Sequence, residues 1–125
     1  MKSKISKLIE LSEKNVELCP WCKEKSSGFY FTQLKSEIEE LENAFKNNDL
    51  DNIEEEIGDV LWDTITLVLI CEREKKVDST KIITRVLEKF ERRKPWLLTG
   101  KKVTREESGR IWDEAKKLER MEEFL

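Results

Sequence analysis

The chain contains no histidine among its 125 residues. That removes the commonest general base and the commonest transition-metal ligand. Three cysteines, an odd number, do not make a disulfide framework, so a reducing cytoplasm is the expected compartment. The longest unbroken apolar run, Leu67 to Cys71, falls far short of the roughly 20 residues of a membrane span. The N-terminus alternates charged and apolar residues and lacks the core of a signal peptide. A basic surplus is missing too: the net charge is −3 and the pI about 5.3, which argues against a nucleic-acid polymer as partner. No segment alternates as a strand should.

Charge of both signs is abundant instead. Asp, Glu, Lys and Arg make up 41% of the chain, against 38% apolar residues, a balance that suits long helices with wide polar faces. The length predicts one domain over residues 1–125. Helical periodicity predicts a first helix over 3–17, a break at "CPWCKEKSSG", and a second helix from about Phe29 to Lys46. Asn47 and Asn48 suit a left-handed turn, and Asp51 with Glu54 forms a capping-box pattern for a third helix over about 50–75. That helix is expected to bury Ile53, Ile57, Val60, Leu61, Thr64, Val68 and Cys71. A fourth helix, capped by Asp78 or Ser79, must end before Pro95, and Thr104 with Glu107 opens a last one. The expected fold class is all-α, a bundle of four to five helices.

The acidic hairpin carries the chemistry. Glu37 and Glu40 lie three residues apart, as do Glu56 and Asp59, with fifteen residues between the two pairs. Residues at this spacing share a helix face, and a tight turn at 46–50 would bring both pairs to one gap. A solvated acidic surface is the alternative that spacing alone leaves open. Gly58 suggests a close approach to the backbone at mid-helix, where glycine costs about 1 kcal/mol relative to alanine. A cluster made only of carboxylates is a set of hard oxygen ligands, favouring Mg²⁺, or Mn²⁺ in its place, over zinc.

This hairpin resembles that of the MazG-type nucleoside triphosphate pyrophosphohydrolases, all-α enzymes with Glu-x-x-Glu followed by Glu-x-x-Asp. "CPWCKEKS" (19–26), "EEEIGDVLW", "KFERRKPW" and "IWDEAKKLE" are similar to further segments of that family, in family order. The resemblance implies Glu37, Glu40, Glu56 and Asp59 as Mg²⁺ ligands, and Lys89, Arg92 and Arg93 as phosphate contacts. It also implies Trp21 near the base or ribose. The sequence departs from the family at Cys22, usually aspartate, at Lys94 and Trp96, usually histidines, and at Ser36, often glutamate. The implied activity is Mg²⁺-dependent hydrolysis of a nucleoside triphosphate to monophosphate and pyrophosphate, serving nucleotide-pool house-cleaning. With no histidine, deprotonation of water falls to a carboxylate or to the metal itself, and Glu37 or Glu40 is the expected group orienting that water. Another pyrophosphate compound as substrate, or a non-enzymatic helical interaction module, are the alternatives.

Other features read more plainly. Cys19 and Cys22 form a C-x-x-C without the strand a redox motif requires, so coincidence is the preferred reading. Trp62 and Trp112 are expected in the core, and Asp63 on the surface. The third helix is apolar nearly all round at "TITLVLICE", and Leu67 and Ile70 suggest a second buried stripe. A symmetric partner would cover it, and the family resemblance likewise implies a homodimer or homotetramer.

Overall fold

The computed structural model describes residues 1–123; the last two residues of the expected domain lie outside that range. Among the described residues the regular structure is entirely helical, as the periodicity predicts. The helices are α1 (Lys2–Leu18), α2 (Pro20–Lys23), α3 (Ser27–Lys46), α4 (Leu50–Arg73), α5 (Ser79–Arg93), α6 (Trp96–Thr99) and α7 (Arg105–Glu123). Five are long and two, α2 and α6, are single turns. The chain forms two compact units, the first Met1–Ser79 and the second beginning at Thr80.

The first unit is built on the α3–α4 hairpin, with α1 packed against α4. Ser26 starts α3 by accepting the Phe29 amide at 3.2 Å, two residues ahead of the expected start. Asn48 turns the chain in the left-handed region (φ 50°). The helix that follows therefore begins at once, and its cap is Asp49, which accepts the Asn52 amide at 3.3 Å. This replaces the expected cap at Asp51.

The core of this unit is small: Cys22, Tyr30 and Ile70, with Val16, Cys19, Phe29 and Leu67 packed around them. Leu67 and Ile70 thus belong to the unit's own core, not to a stripe left for a partner. The expected buried face of α4 is also corrected. Glu56, Asp63, Thr66 and Ile70 point inward, whereas Ile57 and Leu61 stay exposed. A helix apolar on two sides offers two candidate faces, and packing against α1 and α3 selects the one that carries the acids. Buried hydroxyls close on their own helices, Ser12 on the Leu8 carbonyl (2.9 Å) and Thr66 on that of Trp62 (2.8 Å).

A polar clasp ties the far ends of the hairpin. Glu74, just past α4, accepts the Ser27 amide at 2.8 Å and the Ser27 hydroxyl at 2.6 Å. Its carboxylate sits where the first turn of α3 leaves amides without helical partners and where the helix dipole favours negative charge. Lys76 reaches both Glu74 (2.9 Å) and the Ser27 hydroxyl (3.1 Å). Arg73 bonds the carbonyls of Lys25 (2.6 Å) and Cys22 (3.3 Å), fastening α2 to the end of α4.

In the second unit, Thr104 opens α7 as its sequence predicts, accepting the Glu107 amide at 3.1 Å. Gly100 closes α6 in the left-handed region (φ 72°), which glycine adopts without steric cost. Phe90 of α5 meets Trp112 of α7 at 6.2 Å between ring centroids.

The clasp makes stability acid-sensitive. Hydrogen bonds from Ser27, then from Lys76, hold the Glu74 carboxyl down at about 2, from an ordinary 4.5. A depressed carboxyl contributes fully above the unfolded value and is lost as pH falls through the folded one. Glu74→Gln is therefore expected to lower the melting temperature at pH 7, with parent and variant converging between pH 4.5 and 2. Ser27→Ala is expected to cost about 1 kcal/mol at neutral pH. Thermal melts across pH check both; a constant gap down to pH 2 would contradict the clasp.

Candidate functional site

On the α3–α4 hairpin, Glu37, Glu56 and Asp59 each offer a carboxylate oxygen, and these oxygens lie within 4.8 Å of one another. The spacing and the tight turn thus do what the sequence suggests. Glu40, one turn after Glu37, falls outside this close group and is solvent-exposed. Its charge still reaches both Glu37 and Glu56.

Glu56 is only 9% exposed. Among the described residues, Oε2 of Glu56 and Oε2 of Glu37 are buried without a hydrogen-bond partner. Burial pushes the Glu37 carboxyl up to about 7, helped by its hydrogen bond to Glu56 and by the charges of Glu40 and Asp59. Glu56 is likewise raised, by burial first and then by Glu40 and Asp59, although accepting from Glu37 opposes the rise.

Such a cluster suits a divalent cation. Oxygens on opposite sides of Mg²⁺, at about 2.1 Å each, stand roughly 4.2 Å apart, close to the spread already present. The two orphaned oxygens are the ones a cation would satisfy. All the donors are hard carboxylate oxygens, and none of the three cysteines, all free thiols, joins them.

Two expectations near the cluster are corrected. Asp63 is buried, 7% exposed, where surface exposure was expected. It continues the inward-facing side of α4, and burial, then the charge of Asp59, raises its carboxyl. At Gly58 a Cβ would meet open space, so among the described residues nothing makes the close approach that glycine suggested.

Trp21 is half-exposed beside the first unit's core. Its ring stands edge-on to Phe29 (5.4 Å) and Tyr30 (6.2 Å), and the Lys25 ammonium lies 4.8 Å from the rings of both Trp21 and Phe29. A half-exposed indole with a cation over its ring can contact a nucleobase by stacking. Cys22, the second cysteine of the C-x-x-C, is fully buried and accepts from the Tyr30 hydroxyl at 3.5 Å. That hydroxyl is pushed up chiefly by burial. Cys22 is thus core, in keeping with the non-redox reading.

Lys89, Arg92 and Arg93 lie on the last turns of α5 in the second unit. Together with Glu119 and Glu122 of α7 they line a cleft. Arg92 and Arg93 both bond Glu119, and the Arg93 guanidinium lies 4.8 Å from the Trp112 ring. Trp112 is half-buried, a platform for Arg93 and Phe90 more than an enclosed core residue. Glu119 escaped sequence reading: its partners are 26 and 27 residues away, beyond the reach of any periodicity.

Residues 26–98 match the family model of the MazG nucleotide pyrophosphohydrolase domain. Similar curated proteins include the nucleoside triphosphate pyrophosphohydrolases of Escherichia coli strain K12 and Escherichia coli O157:H7. Each is 27% identical over 105 residues, which cover 82% of this chain and 39% of the relative. The chain thus spans about two fifths of the length of the curated relatives it matches. The crystal structure of a MazG-related protein from Thermotoga maritima superposes with a TM-score of 0.83 at 40% identity, covering 90% of this chain and 98% of that one. The acidic cluster and the basic trio fall inside the matched segment; Trp21 precedes it and Glu119 follows it.

The raised Glu37 carboxyl gives the metal-free protein a definite pH profile. Its folded value of about 7 exceeds the ordinary 4.5, so the folded state binds more protons between those values and stability falls as pH rises through that window. Melting temperature is expected to drop from pH 4.5 to 7 in chelator and to recover on adding a divalent cation at pH 8. A cation at 100 times its dissociation constant adds about 2.7 kcal/mol. Glu56→Gln, which removes one crowded charge, is expected to hold or raise metal-free stability at pH 8 and to abolish the gain from cation. A cation-independent profile in the parent would rule out the cluster as a binding site.

Proposed function

The chain belongs to the MazG nucleotide pyrophosphohydrolase family, and on that premise we propose that it hydrolyses nucleoside triphosphates to the monophosphate and pyrophosphate. The observation that carries the reading is the cluster of Glu37, Glu56 and Asp59, with its two buried, unpartnered carboxylate oxygens. Glu37, Glu40, Glu56 and Asp59 would hold Mg²⁺, with Mn²⁺ as substitute; Glu40 lies outside the close group, on the exposed side. When bound, the cation supplies charge neutralisation for the phosphates and acidification of water.

The chain's own residues do the rest. Glu37 or Glu40 takes the proton of the attacking water. The water oxygen bonds to phosphorus as the anhydride link between the α- and β-phosphates breaks, and pyrophosphate leaves. Lys89, Arg92 and Arg93 give the phosphates positive charge that a single cation does not fully supply. Trp21, half-exposed and with Lys25 over its ring, is the stacking partner for the base.

A single domain over residues 1–125 is part of this reading; the family match, residues 26–98, runs across the boundary between the two units. A role in nucleotide-pool house-cleaning in the cytoplasm accords with the free thiols. Among the described residues no helix is long and apolar enough to cross a membrane. A homodimer, or a homotetramer built from dimers, would cover an apolar line that one chain leaves open. Phe31, Ile38 and Phe45 recur every seven residues along α3 and are 56%, 49% and 58% exposed. Ile57 and Leu61 of α4 are exposed as well.

Pyrophosphate and phosphate release, measured separately over a panel of nucleotides and other pyrophosphate compounds, tests the activity. Glu56→Gln and Asp59→Asn are each expected to abolish Mg²⁺-dependent pyrophosphate release while preserving helicity by circular dichroism. Arg93→Ala is expected to weaken nucleotide binding by roughly 1.5–3 kcal/mol and to leave cation affinity of the free protein unchanged. Light scattering at micromolar concentration tests assembly, with Phe45→Glu shifting a dimer towards monomer. A monomer of 14.9 kDa that still turned over substrate would refute the dimer.

A further inference from the structure

Adjacent residues on a helix project about 100° apart, so Arg92 and Arg93 would diverge without a common anchor. Both instead converge on Glu119. Arg92 donates to Oε1 from Nε (2.9 Å) and Nη2 (2.6 Å). Arg93 donates from Nε to the same oxygen (3.3 Å) and from Nη2 to Oε2 (2.8 Å). The anchor is well sheltered, the Glu119 side chain being 18% exposed and that of Arg93 13%. The Trp112 ring backs Arg93 at 4.8 Å. Arg93, then Arg92, holds the Glu119 carboxyl down at about 2, so it stays charged at any working pH.

Each guanidinium has five N–H donors and gives Nε and Nη2 to Glu119; among the described residues that contact does not use its Nη1. Three positive charges, on Lys89, Arg92 and Arg93, face two negative ones, on Glu119 and Glu122, in the same cleft, so one positive charge in surplus remains for an anion. We propose that Glu119 is a positioning residue that fixes Arg92 and Arg93 as one preformed fork, whose remaining N–H groups receive the substrate's phosphates. A long side chain ordered on folding loses no further rotamer freedom when the anion arrives. The proposal rests on reading Arg92 and Arg93 as phosphate contacts. It goes beyond that reading by giving a task to a carboxylate that repels the substrate.

That repulsion makes the test sharp. Glu119→Gln deletes a negative charge from the cleft, so electrostatics alone would tighten anion binding, whereas loss of the fork would weaken it. The probe is the magnesium salt of inorganic triphosphate. It is titrated calorimetrically into the parent, Glu119→Gln, the Arg92→Ala/Arg93→Ala double variant and the combined triple variant, each checked by circular dichroism. We expect Glu119→Gln to weaken binding about tenfold or more, and nucleotide turnover to fall through kcat more than through KM. The same change in the arginine-free background should add nothing, because the carboxylate acts through the arginines. Tighter or unchanged binding in Glu119→Gln overturns the proposal. So does an equal loss with and without the arginines, which would make Glu119 a packing residue only. If the arginine double variant binds like the parent, the phosphate reading itself falls. If it binds weakly while Glu119→Gln matches the parent, the positioning role alone falls. Should Glu119→Gln fail to fold, Glu119→Asp, which keeps the charge on a shorter arm, is read by the same criteria.

Discussion

Like charges held close together on two packed helices are the constraint from which the first unit follows. Glu37, Glu56 and Asp59 sit within 4.8 Å of one another, with Glu56 nearly buried. Burial penalises each charge and proximity penalises them jointly, which raises the carboxyls of both Glu37 and Glu56 in the metal-free hairpin. A divalent cation removes the same penalty. Cation binding and proton release are therefore linked, and the site's affinity carries the pH dependence of that exchange.

A hairpin strained at mid-length needs firm ends. One is the turn, with Asn48 in the left-handed region and Asp49 capping α4. The other is the clasp of Glu74, Ser27 and Lys76, joined by Arg73 on the carbonyls of Cys22 and Lys25. Both lie away from the acids, so the two helices are kept in register without neutralising the cluster. A core as small as Cys22, Tyr30 and Ile70 would contribute little without these polar ties. The second unit works by the same economy of means, since Glu119 gathers two arginines as the acids would gather a cation.

The acidic cluster was legible in the sequence because two local rules suffice for it. Residues three apart share a helix face, and a short Asn-rich turn folds one helix back on the other. Glu40 obeys the same rule as Glu37 yet ends on the open side, since a face tells direction but not depth. The buried side of α4 was misread for a related reason. Ile57 and Leu61 look more like core than Glu56 and Asp63 do, but packing against α1 and α3 selects the acidic side. Asp49 and Asp51 are equally able to cap, and only the conformation of Asn48 decides between them. Glu119 lay out of reach because its partners depend on how α5 and α7 meet, which no local pattern encodes.

The hydroxyl of Tyr30 closing over the Cys22 sulfur has a consequence of a different kind. A thiol with no exposed surface reacts with an alkylating reagent only when its surroundings open. Cys19 and Cys71 are only partly covered and face the same reagent in the folded state. The chain thus carries its own clock: two thiols report ordinary breathing, while the third records how often the centre of the first unit comes apart.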